Sequence, residues 1–442
     1  MKFLKRAVYL SIIVVLLGYS TPFITTLFID KDRVISQLKT KIVKSNQPDI
    51  IRNVNKKIIY LLNLNLYTDI FLFNLVLLPK VIYNYLHLKP QTAEIKRENI
   101  GIFIDGFNEN LFQDLKDLNI SSIGIRIYIT DEYLNSNKYL EKLRVVKELK
   151  KSGYNILLVL AQLRESFNQN LEKNLDKVVN DFKDYVDYYQ IGEAVNRLKW
   201  GILSKNDFLN FFKLATKTVK KDKTAKTIGV SVIDFEWYYT IYYSYLLNYN
   251  FDIANSLLYV DRVKEPENRQ LGFNLIDKIG FLKAINPQKE FWITETNWAI
   301  KGTKEYKPTS ENEAVTLKEY DNYLFRYFIL GFSSGFVDRI YWWRLYSKGY
   351  GLIDNSKRRK SFKVFKELIS LLSNSKIELK SENGIFFQAN IHKKGEIIKL
   401  FWAKDNFKKG LDLTKLNCWN IYSEKVTTGI ISSSPIICKD KN

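Results

Sequence analysis

The stretch Phe291-Trp292-Ile293-Thr294-Glu295-Thr296-Asn297-Trp298 decides how the rest of the chain is read. Its first three residues are aromatic and β-branched, the composition of a buried strand. The run then breaks on a carboxylate, an amide and an indole. An unpaired buried charge is costly. A Glu closing such a strand therefore points to the open mouth of a sheet, where α/β folds place their chemistry. The competing reading is a helix cap or an ion pair with a nearby Arg or Lys.

Outward from that strand, apolar runs alternate with helical periodicity. Strands are expected at about residues 100–105, 122–129, 155–161, 188–192, 227–233, 252–260 and 338–345, which makes the Phe291 strand the seventh of eight. Helices are expected between them, at 109–118, 137–151, 169–186, 208–218, 272–285, 312–333 and 361–372. Eight strands alternating with helices over roughly 270 residues fit an α/β (β/α)8 TIM barrel in number and length. The alternative is a doubly wound open sheet, but no Gly-rich nucleotide fingerprint follows the first strand. Beyond residue 374 the helical period is lost. Short runs at 384–387, 397–402, 419–422 and 435–438 predict a small all-β domain.

The N-terminal part has a different character. Lys2, Lys5 and Arg6 precede an apolar run from Ala7 to about Ile29. This is the pattern of an export signal, read here as an uncleaved signal-anchor with its basic flank in the cytoplasm. Residues 31–57 read as a basic tether or short helices near the membrane. Residues 58–88 are apolar but interrupted by Asn63, Asn65, Asp69 and Asn74. An interfacial helix, or one packed on the main domain, fits them better than a second span. Pro90 marks the boundary. The expected organisation is 1–30 signal-anchor or signal peptide, 31–97 tether and amphipathic segment, 98–373 barrel and 374–442 β domain.

The 442 residues are 46% hydrophobic, enough for a large core. Net charge is +21, from 68 Lys+Arg against 47 Asp+Glu, spread along the chain. No nucleic-acid motif accompanies it, so nucleic acid is excluded as the expected partner. A diffuse basic surface suits a membrane face or an anionic glycan, and it equally follows from a Lys-rich composition. Cys418 and Cys438 either pair in an oxidising compartment or stay as buried thiols. The two histidines, His87 and His392, are far apart in sequence, which argues against a His triad or a His-rich metal site. No metal or cofactor is expected.

The predicted strand ends supply the candidates Asp105, Arg126, Gln162, Glu193, Asn196, Arg197, Asp234, Glu236, Asp261, Arg262, Glu295, Asn297, Trp342, Trp343 and Arg344. Carboxylates, amides, arginines and indoles without a ligand cluster make up a sugar-site composition. Paired carboxylates are also what glycoside hydrolysis needs.

At these residues the chain resembles the TIM-barrel retaining glycoside hydrolases of clan A. In that clan a Glu ends the seventh strand as nucleophile, often as Trp-x-Thr-Glu-x-x-Trp. Trp292-Ile293-Thr294-Glu295-Thr296-Asn297-Trp298 matches it closely. The resemblance implies Glu295 as nucleophile, Arg126 as the sugar-site Arg that keeps it ionised, and Trp342 or Trp343 as the aromatic platform. Asn196, Asp261, Asn297 and Trp298 are the further substrate-binding candidates. Gly351-Leu352-Ile353-Asp354 followed by Arg358 adds to the likeness. The fourth strand departs from the pattern. The clan has an Asn-Glu pair there, whereas this chain reads Gln190-Ile191-Gly192-Glu193-Ala194-Val195-Asn196. Without a gap, Ala194 takes the acid/base position and Glu193 the Asn position. Glu193 is then a displaced acid or a binding carboxylate, and Glu236, Asp234 or Asp261 are substitute acids.

The reading is a membrane-anchored, extracytoplasmic protein that acts as a retaining glycoside hydrolase on an envelope or extracellular glycan, with Glu295 and Glu193 as its catalytic pair. The alternative is a catalytically inactive glycan-binding or envelope-assembly barrel. The sequence leaves the oligomeric state open.

Overall fold

In the computed structural model, the described residues are 38–42, 48–51, 63–261, 263–305, 313–355 and 357–441. The expected signal-anchor, residues 1–30, and Arg262 lie outside them.

Eight parallel strands form a closed barrel, each neighbouring the next in sequence and the last closing on the first. They are β1 Ile100–Phe103, β2 Ser122–Tyr128, β3 Asn155–Ala161, β4 Tyr188–Ile191, β5 Lys226–Ile233, β6 Ile253–Leu257, β7 Phe291–Ile293 and β8 Arg339–Trp342. The strands read as near-continuous apolar runs because the lining of a closed parallel barrel is buried on both faces. In β2 all seven residues are buried, Arg126 among them. Glycines at two positions make room for rings. A Cβ at Gly101 would come within 2.2 Å of the Tyr341 ring, and one at Gly124 within 2.6 Å of the Phe103 ring.

By its internal packing the chain divides into two compact units. The first comprises Met1–Leu88, Ile125–Leu257 and Phe281–Glu290; the second comprises Lys89–Gly124, Leu258–Gly280 and Phe291–Asn442.

In the first unit, helix α1, Leu64–His87, lies on helix α2, Trp237–Leu246. Phe73 packs on Tyr242 and Tyr245 with ring centroids 5.5 and 5.0 Å apart. The sequence reading missed α2, because Trp-Tyr-Tyr-Thr-Ile-Tyr-Tyr has strand-like composition. Lys39–Ile42 and Pro48–Ile51 form an antiparallel hairpin rather than a tether or short helices. It is held by the Thr40 amide donating to Glu165 Oε1 at 2.5 Å and by the Arg164 amide donating to Thr40 Oγ1 at 3.0 Å. Contacts over such sequence separations leave no local signature.

In the second unit, helix α3, Leu317–Ser333, opens on a capping box. Thr316 Oγ1 accepts from the Glu319 amide at 3.3 Å, and Glu319 Oε2 accepts from the Thr316 amide at 2.8 Å. Beyond helix Lys360–Leu372 comes a five-stranded antiparallel sheet: Lys376–Glu382, Phe386–Lys393, Glu396–Ala403, Ile436–Asp440 and Leu416–Asn420, in that spatial order. The first of these strands was not foreseen, because charged residues dilute its apolar alternation. Cys418 and Cys438 face each other on neighbouring strands and are joined in a disulfide. Arg326 on α3, fully buried, donates to Glu265 at 2.8 Å and to the Ala403 carbonyl at 3.2 Å. Trp402 Nε1 donates to Glu267 at 2.7 Å. A buried Arg with two carboxylates ties the sheet to the loop after β6.

Candidate active site

In the first unit the candidates gather where β2, β3, β4 and β5 end. Arg126 and Glu193, each about 1% exposed, form an ion pair of 2.9 Å. Gln190 Nε2 donates to the other oxygen of Glu193 at 3.0 Å. The Glu193 backbone is held as well: its amide donates to Gln162 Oε1 at 2.9 Å, and Gln162 Nε2 donates to its carbonyl at 2.8 Å. After Ile191 the chain leaves the ladder through left-handed conformations at Gly192 (φ 80°) and Ala194 (φ 42°). Left-handed backbone is costly for a residue with a Cβ and recurs where a site is shaped. Ala194 is wholly buried.

Asn196 ties the β4 and β5 ends together. It donates to the Ile233 carbonyl at 3.0 Å and to Glu236 Oε2 at 2.7 Å, and it accepts from the Ile233 amide at 2.9 Å. Arg197 bridges Asp234 at 2.5 Å and Glu236 at 2.6 Å. Burial pushes the Glu236 carboxyl above the usual carboxylate range, against the pull of Arg197.

In the second unit, Glu295 follows β7 and is 6% exposed. Tyr259, just beyond β6, donates its hydroxyl to Glu295 Oε1 at 2.6 Å. Tyr259 was not among the residues the sequence singled out. Its value lies in a contact across strands, which no local motif carries. Asn297 donates to the Tyr350 carbonyl at 3.1 Å and accepts from the Trp298 amide at 2.6 Å. Trp298 Nε1 donates to the Lys264 carbonyl at 2.9 Å, and its ring stacks on Trp342 with centroids 6.0 Å apart. Trp342 in turn donates to the Tyr320 hydroxyl on α3 at 2.9 Å. These two indoles are packed between strand and helix. Trp343 is as buried as they are, at 2% exposed, but has other partners: its Nε1 donates to Asp105 Oδ2 at 3.1 Å and its ring lies 4.7 Å from that of Tyr350. Asp105 has that indole as a partner, and the next helix begins six residues later, at Leu111. Asp261 is exposed at the start of the loop after β6. Among the described residues no group of His, Cys, Asp and Glu is arranged to hold a metal ion.

Solved structures share this architecture. A family 39 glycoside hydrolase from Bacteroides cellulosilyticus WH2 superposes with a TM-score of 0.59 at 15% identity, over 79% of this chain and 83% of that one. A GH30 endoxylanase from Clostridium papyrosolvens C71 gives 0.54 at 13%, over 80% and 98%. A family 51 α-L-arabinofuranosidase from Bifidobacterium longum gives 0.54 at 10%, over 80% and 97%. In fold, the chain resembles the clan A glycoside hydrolases. No protein-family model matches the chain, and no curated protein matches its sequence significantly. The clan A likeness is therefore one of architecture, and the chemistry has to be argued from the residues.

Proposed function

We propose that this barrel binds an envelope or extracellular glycan and has given up the general-acid half of the retaining reaction. One observation carries the reading: the buried Glu193 carboxylate is paired with Arg126; the resemblance to clan A adds to it by assigning the acid position to Ala194. A general acid must hold a proton when the substrate arrives. The Arg126 guanidinium and the Gln190 amide each donate to one oxygen of Glu193, so both oxygens are engaged within the protein. The second unit keeps the parts that hold a sugar. Trp343, 2% exposed, has its indole fixed by Asp105, and Glu295, 6% exposed and oriented by Tyr259, is the carboxylate to accept sugar hydroxyls.

A second reading is favoured by one feature, the Tyr259–Glu295 hydrogen bond, which orients a carboxylate as a nucleophile requires. In that reading Glu295 attacks the anomeric carbon and a second carboxyl protonates the leaving oxygen. The protein acts outside the cytoplasm and is attached to a membrane at its N-terminal side. The Cys418–Cys438 disulfide supports an oxidising compartment, and the apolar helix Leu64–His87 supports the membrane side.

The activities of the structural neighbours, an endoxylanase and an α-L-arabinofuranosidase, suggest the first ligands, xylo-oligosaccharides and arabinofuranosides. Calorimetry should detect binding of one of these, and Trp343→Ala should weaken it at least tenfold. Steady release of reducing ends from the same oligosaccharide would select the second reading.

A further inference from the structure

Helix α1 has two apolar faces, and only one is used within the first unit. Ile70, Asn74, Leu78 and Val81 are buried. Three polar residues fix the helix in place. Asn74 donates to the Tyr238 carbonyl at 3.0 Å and Asn84 to the Ala284 carbonyl at 3.0 Å, while Asp69 accepts from the Tyr242 hydroxyl at 3.2 Å. On the opposite side Leu72, Leu75, Val76, Tyr83 and Leu86 are 53%, 49%, 76%, 62% and 61% exposed. Their spacing places them on one stripe with Pro79, about 21 Å from Leu72 to Leu86 at 1.5 Å per residue. Lys80 is exposed beside that stripe. A contiguous apolar stripe of this length marks an interaction surface rather than scattered exposure.

We infer that this stripe lies in the headgroup region of the bilayer, so that the first unit rests on the membrane along α1 instead of swinging free on its N-terminal segment. Two facts identify lipid as the occupant. The chain upstream of the described residues carries an apolar run, Ala7 to about Ile29, of nearly spanning length behind Lys2, Lys5 and Arg6. Such a segment confines α1 to the membrane's vicinity. Lys80 and the net charge of +21 complement anionic headgroups. The helix is long and apolar enough to cross a bilayer, yet Asp69, Asn74 and Asn84 are hydrogen-bonded along a barrel-wall helix and its neighbours. A crossing would carry that wall into hydrocarbon, where irregular backbone is not tolerated. A helix lying in the interface satisfies both faces. The inference goes beyond the glycan reading and stands whether or not a sugar binds.

The test uses the full chain in vesicles of phosphatidylcholine and phosphatidylglycerol. Val76→Cys and Leu140→Cys are each labelled with bimane; the native cysteines are joined in a disulfide, so the added thiol is the labelling site. Leu140, 58% exposed on helix Asn137–Lys151, serves as the solvent control. Brominated lipids should quench the Val76 label at least threefold more than the Leu140 label. Equal quenching would overturn the inference. So would a Val76 label shielded from lipid but transferring energy to a second labelled copy, or one crosslinking to residues 7–29, since either puts protein in the place of lipid.

Discussion

At the scale of single residues, Glu193 decides between the two readings. Its carboxylate and the Arg126 guanidinium are both almost fully buried. Removing one partner of such a pair destabilises by about 3–5 kcal/mol, because the remaining charge loses compensation in a low dielectric. Glu193→Ala is therefore predicted to lower unfolding free energy by about 3 kcal/mol or more in urea titrations. A carboxyl poised as an acid would cost far less to remove, and unchanged stability would count against the structural role. Tyr259→Phe should lower the urea midpoint less than Glu193→Ala does, by about 1–3 kcal/mol in unfolding free energy, since it takes one donor from a buried carboxylate. It should still weaken glycan binding several-fold if Glu295 is the group it orients. Residues of this kind were unevenly legible. Glu295 stood out because its motif is contiguous. The partnership of Arg126 with Glu193, and the contact of Tyr259 with Glu295, join residues 67 and 36 positions apart and left no trace in local spacing.

At the scale of elements, α3 carries a titratable group that makes stability depend on pH. Burial raises the Asp321 carboxyl from 3.8 to about 6, against a hydrogen bond from the Tyr422 hydroxyl. The folded protein therefore holds this proton more tightly than the unfolded chain does. Its contribution is fully present below about pH 4 and is lost as pH rises through about 6. Asp321→Asn should flatten the fall of the urea midpoint across that window. An unchanged slope would assign the dependence elsewhere, with Glu265, raised to about 7 chiefly by burial, as the next group to replace. The barrel strands were readable as elements because buried parallel strands are unbroken apolar runs. Helix α2 was not, because rings that favour strands line a helix whose stability comes from tertiary packing. Nor was the Lys39–Ile42 hairpin, which is held by Glu165 and Arg164 rather than by its own sequence.

At the scale of the molecule, the alternation of eight strands with helices carried the architecture, and the closed barrel has the eight strands the sequence predicts. The C-terminal sheet adds a covalent tie. The Cys418–Cys438 disulfide closes a loop of 20 residues, so its reduction should cost about 3 kcal/mol, read as a lower urea midpoint under reductant. On the proposed reading, the barrel architecture is kept while general-acid catalysis is lost. The direct measurement compares hydrolysis of an unactivated oligosaccharide that binds with hydrolysis of the dinitrophenyl glycoside of the same sugar, whose leaving group needs no protonation. No turnover of the first is expected, and at most slow, Glu295-dependent release from the second. Steady cleavage of the unactivated oligosaccharide, abolished by Glu193→Gln, would contradict it.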